Sequence, residues 1–173
     1  MRQVKINSTT GTEIVTTADV KLYSRIDTTA DDTLIARMIT QARIWCENYV
    51  SRDIVAKNRT YYMDSTNGIF DIPFAPVSSI SSVTIDGTAS TDYTMLGLDN
   101  ETMELDGGAA PNVKVTYVTT GLDDSLLIQA ILQLTATYYD NRSDVFEGSS
   151  KFGQIEIPTS VKNILSSYRS MFI

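Results

Sequence analysis

Apolar positions along this chain follow two different periods, and the switch between them marks its organisation. From Ala30 to about Ser51 the apolar residues are Leu34, Ile35, Met38, Ile39, Ala42, Trp45, Cys46, Tyr49 and Val50. Their steps of one, three and four put them on one broad stripe of a 3.6-residue helix. Asp31 and Asp32 fall in its first turn, where the helix dipole favours negative charge. A brief helix precedes it: Thr17 reads as the N-cap, Asp19 lies in the first turn, and Val20, Leu22 and Tyr23 supply the apolar side. Residues 1–16 are polar and without sustained period, which predicts an extended arm with room for a short strand at its start.

From Ile54 the period shortens to two. Thr60–Met63, Ile69–Ile72, Ile80–Ile85, Tyr93–Leu96, Met103–Leu105 and Val113–Val118 read as short strands. Turn residues separate them: Asn67-Gly68, Pro73 and Pro76, Asp86-Gly87, Asp99-Asn100 and Gly107-Gly108. Gly121 closes this block. Asp123, Asp124 or Ser125 then caps a second long helix running to about Asp140, with Leu127, Ile128, Ile131, Leu134 and Tyr138 in one stripe that Ala130 and Tyr139 widen. Residues 143–157 contain Gly148, Ser149, Ser150 and Gly153 and read as a mobile loop or hairpin. Pro158 opens a last helix whose apolar face is Val161, Ile164, Leu165, Tyr168 and Phe172.

Two long amphipathic helices each need a partner, and the simplest packing sets them against each other. The predicted fold is α+β: one domain over residues 1–173, with a helical base at 17–52 and 122–172 and an inserted antiparallel β module at about 54–120.

Charge sharpens this picture. The 173 residues carry a net −7, yet residues 1–60 hold nine basic and seven acidic side chains and residues 126–173 four of each. Residues 61–125 hold Lys114 alone against ten acids. The acidity therefore belongs to the β module, and argues against a protein that grips DNA, which requires clustered Lys and Arg. Zero His excludes a His-based triad or His metal site, and one Cys excludes an internal disulfide and Cys₄ zinc. No apolar run reaches membrane-spanning length and the N-terminus lacks a signal-peptide core, so a product made in the cytoplasm without membrane contact is expected.

Candidate chemistry is sparse. Glu104 and Asp106 lie two apart on a strand, facing the same way, with Glu101 nearby; such carboxylates could serve glycosidic acid–base chemistry or a sugar-binding module. The plainer reading is a solvated acidic face beside the Gly107-Gly108 turn. Asp64-Ser65-Thr66-Asn67-Gly68 lacks the alternating ligands and terminal Glu of a calcium loop and reads as a turn. Cys46, beside Trp45 in an apolar stripe, reads as a small core residue. Trp45, Tyr49, Tyr138 and Tyr139 read as core rather than as a base-stacking platform. No cofactor or metal is expected.

The order of landmarks resembles the head–tail connector (head-completion or adaptor) proteins of tailed bacteriophages. Val20-Lys21-Leu22-Tyr23-Ser24-Arg25-Ile26-Asp27 resembles that family's short helix ending in Arg-Ile-Asp. Asp31-Asp32-Thr33-Leu34-Ile35, then Ala42-Arg43-Ile44-Trp45-Cys46-Glu47 and Arg52, are similar to its first long helix. Pro76-Val77 through Ile80 and Val83 resemble its Pro-Val-x-x-Ile-x-x-Val strand opening, and Val115–Gly121 its strand before the second helix. Tyr138-Tyr139-Asp140-Asn141-Arg142 resembles a Tyr-x-Asn-Arg helix end, and Ile157-Pro158 through Tyr168-Arg169 its closing helix.

The resemblance implies a non-enzymatic virion protein of the neck, made in the host cytoplasm. It implies a ring of about twelve copies on the portal protein, extending the DNA channel and docking a tail-side neck or tail-completion protein. A tail-completion or other virion-joining role is the alternative. Segments expected to fold against partners are the polar N-terminal arm, the loop with Ser143, Asp144, Lys151 and Phe152, and the terminal Met171, Phe172 and Ile173, which could equally pack on the protein's own helices. Double-stranded DNA would pass without specific binding. The acids Asp99, Glu101, Glu104 and Asp106 are candidates to face that channel, with plain solubility of the β module as the competing reading.

Overall fold

Helical and β periods fold into separate compact units. In this computed structural model, which describes residues 1–141 and 157–169, one unit comprises Met1–Thr12 and Ser51–Leu122, the other Glu13–Val50 and Asp123–Arg169. The fold is α+β, with four helices and two antiparallel sheets among the described residues.

The β unit contains β1 (Arg2–Thr9), β2 (Lys57–Thr66), β3 (Ile69–Asp71), β4 (Val77–Ile85), β5 (Thr88–Ser90), β6 (Tyr93–Leu96), β7 (Thr102–Leu105) and β8 (Ala110–Thr119). One sheet runs β1-β2-β8-β4-β5 and the other β3-β7-β6. Period two decides which side chains go in. Tyr61 and Met63 of β2, Val113, Val115 and Tyr117 of β8 and Val83 of β4 form the inner face of the large sheet. They share one core with Phe70, Ile72, Met103 and Leu105 from the small sheet and its flank. Within that core the Tyr117 hydroxyl donates to the Pro73 carbonyl at 2.7 Å, so its polar end is satisfied. The arrangement is a sandwich with alternate residues facing outward from each sheet.

Two strands escape the hydrophobic pattern. The expected N-terminal arm is an eight-residue strand, paired antiparallel with β2 and bulged between Ile6 and Ser8. Every residue of β1 is exposed, so no apolar alternation marks it. The short β5 follows the Asp86-Gly87 turn as the return arm of a hairpin with β4.

A buried ion cluster fixes the ends of β2 and β8. Asp53, fully buried, accepts Lys57 Nζ at 2.8 Å, Arg59 Nε at 2.7 Å, Arg59 Nη2 at 2.6 Å and the Thr119 hydroxyl at 2.9 Å. The same Thr119 hydroxyl accepts the Lys57 backbone N–H at 3.0 Å. The Arg59 guanidinium lies 3.7 Å from the centroid of the Phe74 ring. Burial alone would raise the Asp53 pKa; the hydrogen bonds and charges of Arg59 and Lys57 outweigh it and hold the carboxyl below its ordinary value. Beside the cluster, Gly121 takes φ +82° and a Cβ there would meet the Ile54 carbonyl oxygen at 2.8 Å, so only glycine fits.

The helical unit contains α1 (Thr17–Ser24), α2 (Asp32–Val50), α3 (Ser125–Asp140) and α4 (Thr159–Ser166). Thr16, not Thr17, caps α1, in a capping box with Asp19. Of the apolar side expected for α1 only Val20 is buried; Leu22 is 84% exposed and Tyr23 is exposed too. α2 packs on α3 and α3 on α4. Ile35, Met38, Ile39, Ala42, Cys46 and Val50 are buried from α2, Leu127, Ala130, Ile131 and Leu134 from α3, and Val161 and Leu165 from α4. Cys46 is indeed core: burial first, then the Glu47 charge, pushes its thiol up to about 12. Trp45 and Tyr49 are not core. They are half-buried at the rim and stack at 5.3 Å between centroids. Asp124 supplies the α3 cap, accepting the Leu126 N–H at 2.8 Å. A charged pair also enters the α2 stripe: Arg43 donates to Glu47 at 2.7 Å and to Glu13 at 2.8 Å.

Asp53→Asn removes the counter-charge of two buried cations and is expected to destabilise by about 3–5 kcal/mol, read from the urea midpoint. The pH dependence has a definite sign. A carboxyl depressed by folding contributes stability above its unfolded pKa and loses it as pH falls through the folded value. The wild type should therefore weaken more steeply than Asp53→Asn below about pH 4; equal slopes would contradict this role.

Candidate functional site

The four acids singled out in the sequence all lie in the β unit, but in three different settings. Asp99 and Glu101 belong to the loop between β6 and β7, where they hold the loop's shape. The Glu101 carboxylate accepts the Asp99 N–H at 2.9 Å, and it fills the space beside Gly97, where any Cβ would collide with it. The loop's carbonyls act outward: that of Glu101 accepts the Ile72 N–H at 2.7 Å and that of Asp99 the Val77 N–H at 2.9 Å. The Asp99 carboxylate also lies 3.9 Å from an Arg52 nitrogen. Asp106 is exposed in the turn after β7. Glu104 sits in β7 itself, on the outer face of the small sheet, its neighbours Met103 and Leu105 pointing into the core.

Register places the rest of that outer face. Glu104 stands between Ile69 of β3 and Thr94 of β6; in the next row Thr102 stands between Asp71 and Leu96. The Thr102 hydroxyl donates to Asp71 at 2.7 Å. Ile69 and Leu96 are exposed apolar residues, so this face mixes two carboxylates with two hydrophobes.

The large sheet's outer face has a different character. One row crosses it as Gln3, Tyr62, Lys114, Thr84 and Ala89, and another as Lys5, Thr60, Thr116 and Ser82. The hydroxyls of Thr60 and Thr116 are 3.2 Å apart, and the Asn7 amide donates to Asn58 at 2.6 Å and Thr60 at 2.9 Å. Each row carries one lysine and no acid. Asp64, at the end of β2, is paired with the amino group of Met1. The sequence marks these rows only through Lys114, the lone base of residues 61–125.

Between the exposed edge of β1 and β3 opens a groove of about 550 Å³, lined by Arg2, Val4, Tyr61, Asn67, Ile69, Phe70, Asp71 and Pro73. Among the described residues, no three His, Cys, Asp or Glu side chains gather to hold a metal, and no helix is long and apolar enough to cross a membrane. The partner-segment candidates Ser143, Asp144, Lys151, Phe152, Met171, Phe172 and Ile173 lie outside the described residues.

Glu101→Ala should speed exchange of the Asp99 amide about fivefold, the loss of one solvent-accessible charge-assisted hydrogen bond, while Asp106→Ala should leave it unchanged. Equal rates in both variants would show that Glu101 does not hold the loop.

The model of the family described as head completion protein matches residues 13–171. No curated protein matches the chain. Among solved structures, a chain in the neck of an empty GTA particle computed with C6 symmetry is similar at TM-score 0.77 and 17% identity, over 99% of this chain and 97% of that one. A chain in the virion of a native gene transfer agent particle gives TM-score 0.70 and 14% identity over the same shares. A chain in the neck of a native GTA particle computed with C12 symmetry gives 0.62 and 15%, covering 96% of this chain and 97% of that one.

Proposed function

Because this chain belongs to the head completion protein family, whose members are structural rather than enzymatic, we propose that it is a connector subunit of a virion neck. In this reading its copies assemble as a ring on the portal protein, extend the DNA channel and present a docking surface to a tail-side neck protein. Both units act as one connector domain. The observation that carries the proposal is the family match across residues 13–171, nearly the whole chain. Likeness over nearly the full length to chains from symmetric necks supports it at the level of fold.

The physical character of the β unit is consistent with such a role. Its carboxylates do not converge on a pocket: Glu101 shapes a loop, Glu104 lies on a sheet face and Asp106 is in a turn. A sandwich with one polar outer face and one that mixes carboxylates with exposed Ile69 and Leu96 suits repeated contacts between preformed subunits, which change shape little on docking. Of the four acids, Asp99 and Asp106 lie in exposed turns and are the ones we assign to the DNA path, where like charge keeps the duplex from adhering to the wall.

Mixing the purified protein with its cognate portal and imaging by negative stain should show an added ring on the portal. A protein that stays monomeric and has no affinity for the portal would overturn the proposal. A monomer in the absence of portal would not, because the template can nucleate the ring. In a reconstruction of that ring, Asp99 and Asp106 should face the bore; finding both on the outer rim would remove their part in DNA passage.

A further inference from the structure

The two outer faces of the sandwich carry opposite charge, and they point in opposite directions because the sheets share a core between them. The large sheet offers Lys5 and Lys114, one in each of two adjacent rows, among hydroxyl and amide side chains, and the acid of the next row, Asp64, is paired with the Met1 amino group. The small sheet offers Asp71 and Glu104, also one in each of two adjacent rows, beside the exposed Ile69 and Leu96. We propose that these faces are the two halves of one interface: the lysine face of each subunit docks on the acidic face of the next copy. This inference rests on the ring reading above and names the surfaces that close the ring.

Three physical points support a second copy as the occupant. First, a molecule with complementary patches on opposite sides associates head to tail, and such contacts form a closed ring when the rotation between copies allows it. Second, the spacing is compatible. Lys5 and Lys114 are two strands and one row apart, about 12 Å, whereas Asp71 and Glu104 are one strand and one row apart, about 8 Å. Lysine stems of about 6 Å take up that difference, and their methylenes can lie against Ile69 and Leu96 while the ammonium groups reach the carboxylates. Third, both faces are preformed. The Thr60–Thr116 contact, the Asn7 bonds and the Thr102–Asp71 bond order the polar side chains before any partner arrives. Charge of this kind sets orientation and partner choice more than raw affinity, so the contact should weaken with salt.

The test is a charge-swap mixing experiment on the full chain with its portal. Lys5→Glu/Lys114→Glu alone and Asp71→Lys/Glu104→Lys alone should each raise the concentration for half-maximal ring formation about tenfold. Mixing the two variants in equal amounts should restore rings, because each reversed lysine face can then meet a reversed acidic face and each native face a native one. A single chain carrying all four substitutions should also form rings. Circular dichroism melts matching wild type would show that these exposed substitutions leave the fold intact.

Rings unchanged in either variant would overturn the interface while leaving the connector role standing. Loss of rings without rescue on mixing would also overturn it, and would assign the lysine face to the portal or to DNA. If wild type forms no ring under the same conditions, the connector reading itself fails.

Discussion

One buried carboxylate sets the register on which the β unit depends. Asp53 receives two cations and a hydroxyl from β2 and β8 at 2.6–2.9 Å, with no access to water. Lys57 and Arg59 lie on the inward row of β2 and Thr119 on the inward row of β8, so the cluster acts at the end of the pairing between the two central strands. Sheet side chains alternate with period two. A slip of one residue would carry Tyr61, Met63, Val113 and Val115 outward and bring Thr60, Tyr62, Lys114 and Thr116 into the core. The register that buries the hydrophobes is thus the one that displays the lysine rows. Neither cation can leave the cluster's site cheaply, because each would remain buried without its counter-charge.

The acidity of the chain divides once the sheets are resolved. As a sequence property it is a block, Lys114 against ten acids. In three dimensions that lone lysine lies on a face it shares with Lys5 of β1, a strand supplied from far upstream. Of the acids, Asp71 and Glu104 lie on the small sheet's outer face and Asp99 and Glu101 in the loop between β6 and β7, while Asp64, at the end of β2, is paired with the Met1 amino group. A protein of net −7 therefore carries one sheet face whose central rows are charged by lysines alone and another whose rows are charged by carboxylates, and net charge describes neither.

How much was legible in the sequence depended on whether a periodicity existed to be read. The α2 stripe, the α3 stripe and β6 follow from apolar spacing, and the ordered landmarks from Val20 to Arg169 carry the family resemblance. β1 is legible as an extended arm with room for a short strand but not as an eight-residue strand, because an edge strand exposed on both sides has no alternating pattern. The apolar side that the sequence predicts for α1 includes Leu22 and Tyr23, which the helix leaves exposed, since two turns need only Val20 as an anchor. Trp45 and Tyr49 sit at the rim of their stripe, where a stripe too broad for full burial leaves its edges half covered. The Asp53 cluster was invisible because its members are polar and two of them lie 62 residues apart. Cross-strand rows were invisible for the same reason: Lys5, Thr60, Thr116 and Ser82 become neighbours only through register. The segments around Ser143–Phe152 and Met171–Ile173 lie outside the described residues.

What unites these observations is a β unit whose two outer sheet faces differ in charge, joined by a shared core and a buried ion cluster. A high-resolution reconstruction of the wild-type ring on its portal tests that account most directly. It should place the Lys114 ammonium of each subunit within about 4 Å of the Glu104 or Asp71 carboxylate of the next copy. A ring in which the large sheet's outer face stands open to solvent would contradict it.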